Sequence, residues 1–210
     1  MSDIAKLKSE WIEILCQWGD SQKEAIKAFN MLCRCYQSSN RHYHTLAHIR
    51  HILSLARKYR SQFDCWNSIY FATWFHDAVQ SIGLDNEYES AQLAKDELSK
   101  FRVPHNIITK ITEMILATKS HERSFDNDTN LFLDFDLVIL ASKEPAYEEY
   151  SNNCRKEYLI PNWLYRKGRT LFLCKKLSQK HIFHTPLMRE KFEHQAIRNL
   201  EQELASLKGN

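Results

Sequence analysis

The sequence predicts an all-α protein, and three observations carry that expectation. Only four glycines and four prolines occur in 210 residues, too few turn-makers for an all-β chain or for repeated βαβ loops. Apolar residues recur at helical spacing through nearly the whole length. Apolar residues make up 43% and charged residues 26%, which excludes a disordered chain. A chain of this length buries roughly 70% of its unfolded surface, so one helical domain needs neither disulfides nor a structural metal.

The elements follow in order. Ile4, Leu7, Trp11, Ile14 and Leu15 form one stripe, and Ala25, Phe29, Leu32, Cys35 and Tyr36 form a second. Residues 38–42 break the pattern. A third helix is expected from about Thr45 through Leu46, Ile49, Ile52, Leu53 and Ala56. The fourth runs from Trp66 through Ile69, Tyr70, Thr73 and Trp74 toward His76. Gly83 and Asp85-Asn86 interrupt, and Tyr88, Ala91, Leu93, Ala94 and Leu98 resume. Pro104 suits a first helical position, ahead of Ile107, Ile108, Ile111, Met114 and Ile115. Residues 121–130 read as a polar loop, and 131–140 as a dense apolar run holding Asp134 and Asp136. Pro145 and Pro161 fall in the first turns of two further helices, and Thr185-Pro186 caps a last one ending near Leu207. About nine or ten helices in a single domain are expected.

The start of the chain has no apolar signal core, and no run approaches the ~18 residues of a membrane span. Six cysteines without regular spacing read as reduced, mostly buried thiols, so a cytoplasmic location is expected. Cys33 and Cys35 followed by His42 and His44 resemble a zinc set superficially. Residues two apart on a helix point roughly 200° from one another, so both thiolates cannot grip one ion.

Net charge is +3, but residues 155–191 carry +8 and the rest −5. A basic segment meets phosphate or nucleic acid, or is simply a solvated helix face. It holds few clustered aromatics, which counts against nucleic acid.

Chemistry concentrates in three places. His44 and His48 are four apart, on one face if that stretch is helical. His76-Asp77 follows an apolar run, placing an imidazole and a carboxylate where a buried helix meets a cleft. Asp134 and Asp136 are acids within core sequence, and buried carboxylates need a partner. Imidazole plus carboxylate with open positions suits a catalytic divalent ion: Mn, Fe, Co, Ni, Zn or Mg. Asp85-Asn86-Glu87 reads equally well as a helix cap, since Asp or Asn accepts free N–H groups there.

The order His48, His76-Asp77, Asp136 resembles the HD-domain superfamily of metal-dependent phosphohydrolases. It is most similar to a small bacterial branch of predicted HD phosphohydrolases. The likeness spans about residues 40–205: Tyr43-His44-Thr45-Leu46-Ala47-His48 (with Thr45 where the branch has Asn), Trp74 to Asp77, Asp85 to Ala91, Ala117 to His121, Asp134 to Leu137, Arg155 to Tyr158, His184-Thr185 and Arg198 to Leu200. The resemblance implies an HD-type helical bundle with a core of about 40–140 and a helical extension over 141–210. It implies one metal ion on His48, His76, Asp77 and Asp136; Asp136 is preferred to Asp134 because it directly precedes Leu137. A usual ligand of a second site is missing after Asp77, which leaves a second ion open.

The resemblance also implies His44 as proton donor to the leaving group, with Asp85, Glu87 and His121 acting on the attacking water. Lys119, Arg155 and Arg169 would hold phosphate. The function expected is hydrolysis of a phosphate monoester or diester of a nucleotide or related small molecule. The alternatives are a non-catalytic metal- and nucleotide-binding regulatory module and a nucleic-acid-binding helical protein.

Overall fold

The computed structural model describes residues 3–19, 21–81 and 83–209. All regular structure among them is helical: ten α-helices and two short 3₁₀ turns. Chain contacts group the residues into two compact units, 1–38 with 44–124, and 39–43 with 125–210.

The first unit contains α1 (Asp3–Cys16), α2 (Gln22–Tyr36), α3 (Leu46–Lys58), a 3₁₀ turn (Arg60–Gln62), α4 (Trp66–Phe75), α5 (Asn86–Ser99) and α6 (His105–Ala117). Helix α4 is its axis. Ser68 to Phe75 are all buried, as expected of a helix that is apolar all round and covered on every side. It packs against α3, α5 and α6, while α1 packs on α2. Trp11 is fully buried among Phe29, Tyr70, Phe71, Trp74 and Phe75, with ring centroids 5.4–6.4 Å away. Its indole N–H donates to Ala25 O at 2.9 Å, so the ring is buried without an orphan donor. The Tyr36 hydroxyl donates to Trp74 O at 2.8 Å and pins the end of α4 beside His76.

The second unit contains α7 (Asn127–Leu137), a 3₁₀ turn (Val138–Ala141), α8 (Ala146–Glu157), α9 (Asn162–Ser178) and α10 (Pro186–Gly209). Helix α10 packs on α9 and on the 3₁₀ turn, which α8 also meets. Buried polar groups hold it. The Asn199 amide donates to Leu140 O and Ser142 O at 2.8 and 2.7 Å. Glu157 accepts from the His42 and Tyr43 amides at 2.7 and 2.8 Å, and Glu193 from those of Ile182 and Phe183 at 2.7 and 3.1 Å. The Arg169 guanidinium donates twice to Glu203, at 2.8 and 2.9 Å.

Several boundaries differ from the sequence expectation. Helix α7 starts at Asn127, inside the expected loop, because Asp126 caps it by accepting from the Thr129 amide and hydroxyl at 2.8 and 2.7 Å. Pro104, Pro145 and Pro161 stand one residue ahead of their helices, as N-caps. Tyr88, expected on a buried stripe, is exposed. The cysteines are free as expected, but only Cys33 and Cys154 are buried and Cys174 is exposed.

Candidate metal centre

Two helix ends of the first unit bring the predicted residues together. Thr45 caps helix α3, its hydroxyl accepting from the Ala47 amide at 3.3 Å, so His48 lies in the first turn. His44 stands before the cap, outside the helix; the shared helix face expected for His44 and His48 is not what unites them. Their rings still meet edge to face, with centroids 5.5 Å apart. His76 caps the C-terminus of α4, its N–H bonded to Ala72 O, and Asp77 follows directly.

The geometry is convergent. His48 Nε2 lies 3.2 Å from His76 Nε2, and Asp77 Oδ2 lies 3.1 Å from His76 Nε2 and 3.9 Å from His48 Nε2. His44 Nε2 is 3.7 Å from the same carboxylate oxygen. His76 Nδ1 faces Thr73 O at 3.0 Å. A carbonyl only accepts, so Nδ1 carries the proton and Nε2 turns its lone pair to the cluster. A carbonyl accepting from the far ring nitrogen in this way is what orients metal-ligating histidines. The His48 and His76 side chains are 2% and 1% exposed against 33% for Asp77 and 30% for His44. The cluster therefore has a dry floor and a wet mouth.

These atoms fit a cation. Two nitrogens each about 2.1 Å from one ion and 3.2 Å apart subtend roughly 100° at it, within the range of tetrahedral and octahedral sites. His48, His76 and Asp77 offer two neutral nitrogens and one anionic oxygen, a set for a divalent ion with open positions.

Of the remaining first-unit residues, Asp85 and Lys119 hold each other. Asp85 caps α5, accepting from the Tyr88 amide at 3.4 Å, and takes the Lys119 ammonium at 2.5 Å. The Lys119 hydrogen bond holds the Asp85 carboxyl below its usual range. Capping thus accounts for Asp85, and Lys119 is engaged by it rather than held for phosphate. Glu87 lies in the first turn of α5, half-buried. His121 follows α6 with φ +49°, its amide bonded to Ala117 O. The loop after Asp77 is stitched back to α5 by Val79 N to Ser90 Oγ and Ser81 N to Asn86 Oδ1, at 3.1 and 2.9 Å.

In the second unit, Asp134 and Asp136 part company. Asp134 is fully buried on α7 and accepts from the His184 amide at 2.6 Å and from the Thr185 amide and hydroxyl at 2.8 and 2.7 Å. Burial pushes its carboxyl up, against these donors, to about 6. Both its oxygens are spent on the turn that opens α10. Asp136 is half-buried near the end of α7.

Two expected phosphate holders have partners within the chain. Arg169 is nearly buried and committed to Glu203 and to the Tyr150 hydroxyl at 3.2 Å. Arg155 donates to Asn162 Oδ1, Tyr158 O and Ile160 O, and lies over the Tyr165 ring. Both guanidiniums bind this chain instead of leaving their forks open. Reading the sequence also missed Glu157, Glu193 and Glu203 as internal anchors. No local signal marks them, because their partners lie 10–115 residues away.

Compared with known proteins, the chain matches no family model, no curated protein and no solved structure.

Proposed function

We propose that this chain is a divalent-metal-dependent phosphohydrolase of the HD type, acting on a phosphate monoester or diester of a nucleotide or related small molecule. The observation that supports it best is the convergence of His48 Nε2, His76 Nε2 and Asp77 Oδ2, with the His76 tautomer set by Thr73. The ligands proposed within the first unit are His48, His76 and Asp77. A metal held there lowers the pKa of bound water toward neutrality and offsets charge on phosphoryl oxygens. Half-exposed His44, at the mouth, is the proton donor to the leaving group. Glu87 and His121 are proposed to orient or deprotonate the attacking water.

The test is metal analysis of purified protein together with a screen of phosphoesters. Close to one divalent ion per chain and turnover of a phosphoester are expected, both lost in His76→Ala and Asp77→Ala. Full metal content in both variants would refute the ligand assignment. Bound metal and nucleotide with no turnover would make the chain a regulatory module instead. A salt-dependent complex with DNA or RNA, indifferent to these variants, would favour nucleic-acid binding.

A further inference from the structure

Helix α9 ends on a lysine that the proposed function does not use. The Lys176 side chain is almost entirely removed from solvent, the residue being 2% exposed, and its Nζ has no hydrogen-bond partner. Its acidic neighbours are Asp134 and Asp136, whose charges favour the ammonium, whereas Lys175 opposes it. Asp134 accepts three hydrogen bonds from His184 and Thr185 and none from Lys176. One turn further on, at the cap of the same helix, Gln179 Oε1 is also buried without a partner. Neither orphan bonds the other. Burial and Lys175 lower Lys176 to about 8, so it is still largely protonated at pH 7.

A buried ammonium without a partner is costly, and native chains rarely keep one without a use. A hydrophobic residue of the same length would fill the space at no such cost. The ammonium offers three donors and a full positive charge, which suits an oxyanion approached as a point charge. A phosphate monoester also offers a P–OH donor for an orphan acceptor such as Gln179 Oε1. The second-unit arginines that were expected to bind phosphate have partners within the chain, whereas the Lys176 ammonium has no hydrogen-bond partner.

We propose that Lys176 is an oxyanion-binding residue that holds a phosphoryl oxygen of the substrate. The choice of a phosphoester as the oxyanion rests on the function proposed above.

The experiment is calorimetric titration of the full-length, manganese-loaded protein with inorganic phosphate, comparing wild type with Lys176→Met and Lys176→Gln. Metal content and thermal melting are followed in parallel. Wild type is expected to bind phosphate. Both variants should keep their metal and bind phosphate at least ~10-fold more weakly, the loss of a charge-assisted hydrogen bond. Lys176→Met should melt no lower than wild type, since an unpaired buried charge is removed. Undiminished phosphate affinity in the variants, absence of phosphate binding in wild type, or unfolding of both variants would each overturn the proposal. Binding requires no turnover, so the two readings fail separately. Lys176-dependent phosphate binding in a chain that hydrolyses no phosphoester would remove the hydrolase reading alone. Hydrolysis that is indifferent to Lys176 would remove this one alone.

Discussion

Glu203→Gln should destabilise the second unit far more than its isosteric chemistry suggests. The Glu203 carboxylate accepts four hydrogen bonds: two from Arg169 at 2.8 and 2.9 Å, one from the Tyr147 hydroxyl at 2.5 Å and one from Ser151 Oγ at 2.9 Å. Side-chain exposures are only 9% for Arg169 and 11% for Glu203, so solvent screens the pair little. Gln keeps one acceptor oxygen, turns an NH₂ toward groups that donate, and leaves the Arg169 charge uncompensated. Breaking a buried pair from one side costs about 3–5 kcal/mol. At roughly 2–4 °C per kcal/mol for a chain of this size, melting followed by circular dichroism should fall by ~6–20 °C. The pH dependence has a definite sign. Burial pushes the Glu203 carboxyl up, but Arg169, Tyr147 and Ser151 outweigh it and hold it below 4.5. Its stabilisation is therefore complete above the unfolded value and is lost as pH falls through the lower folded one. Wild type should lose this increment below about pH 4.5, and Glu203→Gln should not. Replacing both partners, Arg169→Met with Glu203→Leu, should recover much of the loss. A melting temperature for Glu203→Gln within ~2 °C of wild type, less than 1 kcal/mol on that scale, would refute the reasoning.

Three further outcomes are expected. Asp134→Asn should cost about 1–3 kcal/mol, because one amide donor of the 184–185 turn is left facing an NH₂, yet retain metal. Metal loss in this variant would overturn the assignment of Asp134 to the turn. His44→Ala should keep metal and lose roughly 10²–10⁴-fold in rate on poor leaving groups, with a smaller loss for p-nitrophenyl phosphate; a loss independent of leaving group would assign His44 to positioning. Iodoacetamide should label Cys174 in the native protein and spare Cys33 and Cys154, whose thiols burial pushes up to about 11 and about 12; mass spectrometry showing Cys33 modified first would contradict the packing of α2.

The sequence by itself determined the all-helical class and the stripes of α1 to α6, because scarce turn-makers and a 3.6-residue period act locally. It also singled out His48, His76 and Asp77, since imidazole and carboxylate beside a wholly apolar helix stand out against their neighbours. It misplaced the start of α7, where Asp126 caps what read as loop. Charge was legible but its use was not. Arg155, Arg169 and Lys119 look alike in sequence to any phosphate-binding cation, and only their partners Tyr158 O, Glu203 and Asp85 show them engaged. The resemblance preferred Asp136 to Asp134, but only the amides of His184 and Thr185, fifty residues on, show what Asp134 does. Lys176 sits in a run of basic residues that reads as a solvated face, and tertiary packing alone decides that this one is buried. The physical reason is common to all of these. Backbone propensity and periodicity are properties of neighbours along the chain, whereas the state of a charge depends on donors and acceptors that folding brings from far away.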